Sequence, residues 1–123
     1  MNTNAISVIN LHERVWRQVE CQNEPQGDHD WNIPRQLYGQ AMVYDRENDC
    51  MYVCGGTDQY TEFYLDVHRF NWASKRWELL ALTPVEVKAR YKHEMVLWQN
   101  KLYIIGGGTN TAAHSIDPVS AVC

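Results

Sequence analysis

Tyr38-Gly39-Gln40-Ala41-Met42-Val43, followed by Met51-Tyr52-Val53-Cys54-Gly55-Gly56, decides the fold, because the same pattern returns further along the chain. The second copy reads Tyr91-Lys92-His93-Glu94-Met95-Val96, then Leu102-Tyr103-Ile104-Ile105-Gly106-Gly107-Gly108. Tyr38 and Tyr91 stand 53 positions apart, and Gly55 and Gly106 stand 51 apart. A third element echoes as well: Asn10 precedes Trp16 by six residues, as Asn71 precedes Trp77. Such a period marks a repeat architecture, in which one supersecondary unit cannot bury both of its faces and must stack on neighbours.

Within one period, short runs of β-branched and aromatic residues alternate with turn clusters, which predicts four strands, a to d, at 39–44, 50–55, 65–71 and 76–80. The b-to-c loop (57–64) and the d-to-a loop (81–90) are the longer connections. On this frame 5–10 and 15–19 match strands c and d of a preceding unit. Residues 93–107 supply strands a and b of a following one, and 119–122 its strand c. The chain is therefore expected to divide into the last two strands of a unit (1–20), a connecting loop (21–36), a whole unit (37–82), and a linker with three strands of the next (83–123). From Trp16 to Tyr38 there are 22 positions, against 14 from Trp77 to Tyr91. The surplus, within 21–34, is polar and reads as an exposed, mobile loop, since loop-closure entropy grows only logarithmically with length.

These residues resemble kelch repeats: a strand ending in a glycine pair, a tyrosine in that strand, and a tryptophan on the fourth strand. Gly55, Gly56, Tyr52 and Trp77 match in the whole unit, Gly106, Gly107 and Tyr103 in the next, and Trp16 in the first. The resemblance implies an all-β, kelch-type β-propeller fragment of about two four-stranded antiparallel blades, not closed, with Trp16 and Trp77 in its core. It also implies a non-enzymatic protein-binding module. The motifs look like those of kelch receptors that present substrates to a cullin–RING ubiquitin ligase and hold protein C-terminal tails. Elongin B, elongin C and cullin would engage only a full-length form. A kelch scaffold in signalling or cytoskeletal organisation is the alternative.

In such propellers the b–c and d–a loops shape the binding face, which nominates Arg90, Tyr60, Thr57, Tyr38, Tyr91 and Thr109 as partner-contacting candidates. A planar guanidinium such as that of Arg90 can grip a carboxylate with two parallel hydrogen bonds. Tyr60 offers an aromatic anchor. Against these stands packing between blades, the competing role for Arg90, Tyr38 and Tyr91.

Bulk properties narrow the field. A net charge of −4 lacks the basic footprint of a nucleic-acid binder. No apolar run approaches the roughly 20 residues that span a bilayer, and the first seven residues do not read as a signal peptide. Cys50 and Cys54 flank three residues of a strand, too far apart for a disulfide and unlike a zinc pair. Reduced thiols fit a cytosolic or nuclear protein. Asp28-His29-Asp30 cannot converge on a metal from an extended loop, so no metal and no cofactor are expected. Neither a nucleophile elbow nor a phosphate loop is present, and nothing shows the Tyr and His convergence of the copper oxidases that share this repeat. A unit with open blade faces leaves apolar surface uncovered, at about 25 cal/mol per Å². The chain alone is thus expected to be marginally stable or self-associating.

Overall fold

The computed structural model describes residues 5–23, 30–58, 62–112 and 115–118, with side chains as far as Thr109. Among them the chain is all β, every strand pairing being antiparallel. A first hairpin joins β1 (Ile6–Asn10) to β2 (Val15–Val19). A four-stranded sheet follows, β3 (Ala41–Asp45), β4 (Cys50–Thr57), β5 (Phe63–Asn71) and β6 (Arg76–Ala81), in the order β3-β4-β5-β6. A second hairpin joins β7 (Glu94–Trp98) to β8 (Lys101–Ile105), and β9 (Gly108–Ala112) pairs with β10 (Ser115–Pro118). The sheets are successive blades that do not close on themselves. The predicted strands of the whole unit lie within a few residues of the observed ones.

The repeated asparagine sets a turn. Asn10 Oδ1 accepts from the His12 and Glu13 amides (2.9 and 2.8 Å), and Asn71 Oδ1 from the Ser74 amide (3.0 Å). Each turn then places one residue in the left-handed region, Arg14 (φ 60°) and Lys75 (φ 57°), at matching repeat positions. The side chain thus holds the start of the turn while the chain reverses. The β7–β8 hairpin instead turns on two residues, Gln99 and Asn100, both with positive φ, the geometry that suits the twist of the strands.

β4 is buried along its whole length, and its alternation sends successive side chains to two cores. Cys50, Tyr52 and Cys54 join Ala41, Leu65 and Met95, with Leu97, Leu102 and Ile104 of the following hairpin packed on them. Met51 and Val53 join Phe70 and Trp77, covered by Ile6 and Val19 of the first hairpin and by Ile33. Main-chain bonds also cross to the following blade: Gly56 N–H to the Arg90 carbonyl (2.9 Å) and Lys92 N–H to the Gly39 carbonyl (2.7 Å). Cys50 and Cys54 are buried free thiols, and burial, helped by the Asp66 carboxylate, pushes Cys54 up to about 12.

Three expectations are corrected, and a fourth falls outside the described residues. Trp16 is 66% exposed whereas Trp77 is 6%, because the first hairpin has no neighbouring sheet on its outer side among the described residues. Thr57 closes β4 and Thr109 lies in β9, so both belong to strands that run past the glycine pair. The expected strand at 119–122 lies outside the described residues, among which β10 (Ser115–Pro118) is the last strand. The segment 21–34 is fastened, where described, along the free edge of β6. Gln22 N–H meets the Lys75 carbonyl (2.7 Å), Asn23 binds both main-chain groups of Trp77 (2.7 and 3.0 Å), and Asn32 Oδ1 accepts from the Leu79 amide (3.1 Å). Side-chain amides here substitute for a fifth strand, which blunts an edge that would otherwise template pairing.

Asn23→Ala is accordingly expected to lower stability by about 2 kcal/mol, since it strands two main-chain groups beside the buried Trp77. Gln22→Ala keeps its main-chain bond and should fall within about 0.5 kcal/mol of the parent. Urea denaturation of the pair checks this, and equal midpoints would remove the segment's fastening role.

Candidate functional site

At the glycine-pair end of the central sheet, the chain entering β3 and the start of β5 bring together four side chains, Trp31 and Arg35 from the first and Tyr64 and Asp66 from the second. Arg35 lies with its guanidinium carbon 4.5 Å from the centre of the Tyr64 ring and 5.2 Å from that of Trp31. Its Nε stands 3.6 Å from Asp66 Oδ2. The other Asp66 oxygen accepts from the amide and the hydroxyl of Thr83 (2.8 and 2.7 Å), and the Thr83 hydroxyl oxygen accepts from the Leu65 amide (2.8 Å). The carboxylate is thereby fixed before it meets Arg35. Its side chain is only 11% exposed, against 39% for Arg35.

Local sequence explains the assembly. Pro34 restricts the chain just before Arg35 and keeps it extended. Tyr64 and Asp66 alternate with Leu65 at the start of β5, so Leu65 turns into the core while its two neighbours face the other way. Trp31 is held from behind, its carbonyl lying 3.2 Å from His68 Nε2. Burial keeps His68 below the ordinary histidine range, and burial raises the Tyr64 phenol while the nearby Arg35 opposes that rise.

The result is a cationic shelf: an aromatic floor, a planar guanidinium anchored through Nε, and two Nη groups without a hydrogen-bond partner among the described residues. Trp31 is 57% exposed. An aromatic side chain fixing one face of an arginine favours bidentate bonding to a planar anion such as a carboxylate.

The residues nominated from sequence fall elsewhere. Arg90 is 4% exposed, and its guanidinium donates to the Lys88 carbonyl (3.1 Å) and the Gly106 carbonyl (3.3 Å), which places it in the seam between blades. Tyr91 is buried, with Tyr38 edge-on at 5.7 Å and Phe63 at 5.5 Å. Tyr38 remains 37% exposed at the rim. Thr57 and Thr109 are buried, and the Thr57 hydroxyl donates to the Glu62 carbonyl (2.8 Å). Tyr60, Asp28 and His29 lie outside the described residues. His93 packs against Gly55 and the Cys54 backbone without a hydrogen bond of good geometry at either ring nitrogen, and burial holds it below the usual histidine range.

Sequence reasoning missed Arg35, Trp31, Tyr64 and Asp66. The repeat aligns Arg35 with Lys88 and gave it no distinction, and nothing local links it to a carboxylate 31 positions on. The available signal was the Pro34-Arg35 pair at the mouth of a strand, next to a loop rich in aromatic and polar residues.

Residues 1–119 match the profile of the KLHDC2/KLHL20/DRC7 Kelch-repeats domain. The chain is 29% identical over 123 residues to Kelch domain-containing protein 10 of Xenopus laevis, covering 98% of this chain and 27% of that protein. The human Kelch domain-containing protein 10 is likewise 29% identical over 123 residues, with 98% and 25% covered. A match of 30% over 111 residues links 88% of the chain to 9% of Ras guanine nucleotide exchange factor F of Dictyostelium discoideum. The chain spans about a quarter of the length of the Kelch domain-containing protein 10 relatives.

Proposed function

Because this chain belongs to the kelch-repeat family, whose domains are generally protein-interaction modules, we propose that it binds a protein tail through the shelf formed by Trp31, Arg35 and Tyr64. The ligand's carboxylate, at a chain terminus or on an acidic side chain, pairs with the Nη groups of Arg35. Its apolar portion lies on Trp31, and Tyr38 extends the aromatic surface at the same end of the sheet. The observation that carries this reading is Arg35, its guanidinium set over the rings of Trp31 and Tyr64 and its side chain 39% exposed. We further propose that the module serves as part of a cytosolic or nuclear substrate receptor of a cullin–RING ubiquitin ligase. Elongin B and C would then dock on the full-length form. The reading is supported by the kelch match and by the fitness of the shelf for carboxylates.

Stability and binding separate cleanly at Arg35. A partly exposed ion pair at 3.6 Å contributes about 1 kcal/mol or less, so Arg35→Ala should leave the melting curve nearly in place. A lost charge-assisted pair with a ligand carboxylate is worth about 1.5–3 kcal/mol, or roughly a tenfold to hundredfold loss of affinity. Binding to an array of peptides with free C-terminal carboxylates, repeated with amidated peptides and with Arg35→Ala, measures it. Affinity unchanged by Arg35→Ala would end the shelf assignment. Arg90→Ala is the companion variant, and its buried guanidinium should act on folding rather than on affinity.

A signalling scaffold is the second reading, favoured by the kelch-like match within a protein named as a Ras guanine nucleotide exchange factor. Co-purification of the full-length form with elongin B and C separates the two. A full-length form that never recruits elongin leaves the scaffold standing.

A further inference from the structure

We infer that Thr83 is a phosphorylation site for a proline-directed kinase, and that its phosphate closes the shelf by drawing Arg35 away from the ligand. The closing of the shelf rests on the shelf's binding role, whereas the modification itself does not.

The four prolines of the chain follow Glu24, Ile33, Thr83 and Asp117, so Thr83-Pro84 is the one hydroxyl–proline pair in these residues. A residue before proline is kept out of the helical region and held extended, the form in which a proline-directed kinase reads its substrate. The flanks are open: Leu82 is 63% exposed and Val85 fully exposed. From Leu82 to Ala89 no main-chain group bonds to another main-chain group among the described residues. The Thr83 amide instead meets a side chain, Asp66 Oδ1 at 2.8 Å. A segment held this sparsely opens locally at low cost and can enter an enzyme's cleft.

The Thr83 hydroxyl is tied to the shelf. It donates to Asp66 Oδ1 (2.7 Å) and accepts from the Leu65 amide (2.8 Å), while Arg35 Nε stands 3.6 Å from Asp66 Oδ2. Hydroxyl and guanidinium therefore share one carboxylate. In the transfer, the Thr83 oxygen attacks the γ-phosphorus of ATP and a new O–P bond forms. The bond from that phosphorus to the bridging oxygen breaks, ADP leaves with the electron pair, and the hydroxyl proton passes to the kinase's base.

The ester oxygen has no hydrogen left to give Asp66, and the phosphate brings a charge of about −1.5 to −2 beside that carboxylate. The two anions repel, and the cation at hand is Arg35, which makes the one ion pair of Asp66 among the described residues. Arg90, in the neighbouring seam, spends its donors on two carbonyls. A guanidinium fork matches phosphate with two parallel hydrogen bonds. The Nη groups of Arg35 thus turn to phosphothreonine 83, and they are the groups that a ligand's carboxylate needs. A competitor on the same chain acts at an effective concentration on the order of millimolar.

The full-length form, treated with a mitogen-activated protein kinase and Mg-ATP, should carry a phosphate on Thr83 by peptide mass spectrometry. Pro84→Ala, which leaves both hydroxyl bonds in place, should not. Phosphorylated parent should bind peptides with free C-terminal carboxylates roughly tenfold to hundredfold more weakly than untreated parent, the loss expected when the Nη pair is withdrawn. Kinase-treated Pro84→Ala should bind as untreated parent does. One readout needs no ligand: in 31P NMR the second ionisation of the phosphate should fall at lower pH in the parent than in Arg35→Ala, since a guanidinium favours the dianion. An unmodified Thr83, or the same titration in Arg35→Ala, would overturn the inference and leave the shelf reading untouched. So would peptide affinity unchanged by phosphorylation where Arg35→Ala weakens it. Loss of cooperative unfolding on phosphorylation would overturn it too, as disruption of the start of β5. Peptide binding absent from every form would end the shelf reading and the switch together, with the titration still deciding whether the phosphate pairs with Arg35.

Discussion

Gly55→Ala is expected to destabilise the protein by roughly 2–5 kcal/mol, combining a left-handed backbone penalty with overpacking. Gly55 sits at φ 82°, where a side chain is strained whatever space surrounds it. There is also no space. A Cβ at this position would run into the ring of His93 and come within 2.9 Å of the Arg90 carbonyl. That carbonyl accepts the Gly56 amide, so it cannot retreat without giving up the hydrogen bond between blades. Nor can the buried His93 ring swing out freely. Such a loss is a large part of the roughly 5–15 kcal/mol that stabilises a typical domain. Thermal unfolding should show a midpoint lowered by on the order of 10 °C or loss of a cooperative transition. Val85→Ala at a fully exposed site is the reference and should leave the transition in place. A Gly55→Ala protein melting with the parent would show that the seam between blades is not tight.

Phe70→Ala should cost about 3–5 kcal/mol, the range for removing a buried phenyl ring. Phe70 has no exposed surface. It stands opposite Met51 on one side and Trp77 on the other, with the rings of Trp72 and Trp77 centred 4.9 and 5.0 Å away. Paired strands on both sides limit how far the surroundings can collapse into the space left. Phe70→Leu should recover more than half of the loss, because it restores most of the volume without the ring contacts. Urea midpoints for the two variants, with the Phe70→Ala, Trp77→Ala double variant to complete the cycle, measure the effect. The double variant should lose less than the sum, since the two rings share one cluster. Strict additivity would mean that the rings do not support each other.

These variants probe opposite faces of one sheet, and they mark how far local pattern carries. Strands, turns and glycine pair could be read because each rests on neighbours within a few residues: alternation for β4, the asparagine turn at Asn71, positive φ at Gly55. The site was legible only as a region. Arg90 and Arg35 are equally cationic and both lie a few residues before a strand start, and composition cannot say which one turns inward. Arg90 meets two carbonyls in the blade seam, while Arg35 meets two rings at the surface. The segment 21–34 shows the same limit, since its polarity suggests solvent but its amides pair with β6.

What the sequence by itself determined is the kelch repeat: its period, its strands, and the faces to which alternate residues point. Those properties follow from backbone geometry within a single unit. The tertiary structure alone decided which faces are covered. Trp16 and Trp77 occupy one repeat position, yet one is exposed and the other buried, because burial depends on what packs opposite and not on the residue itself. The same reason placed the candidate binding shelf at Arg35, where a loop, a strand entrance and the start of β5 meet across 31 positions of sequence.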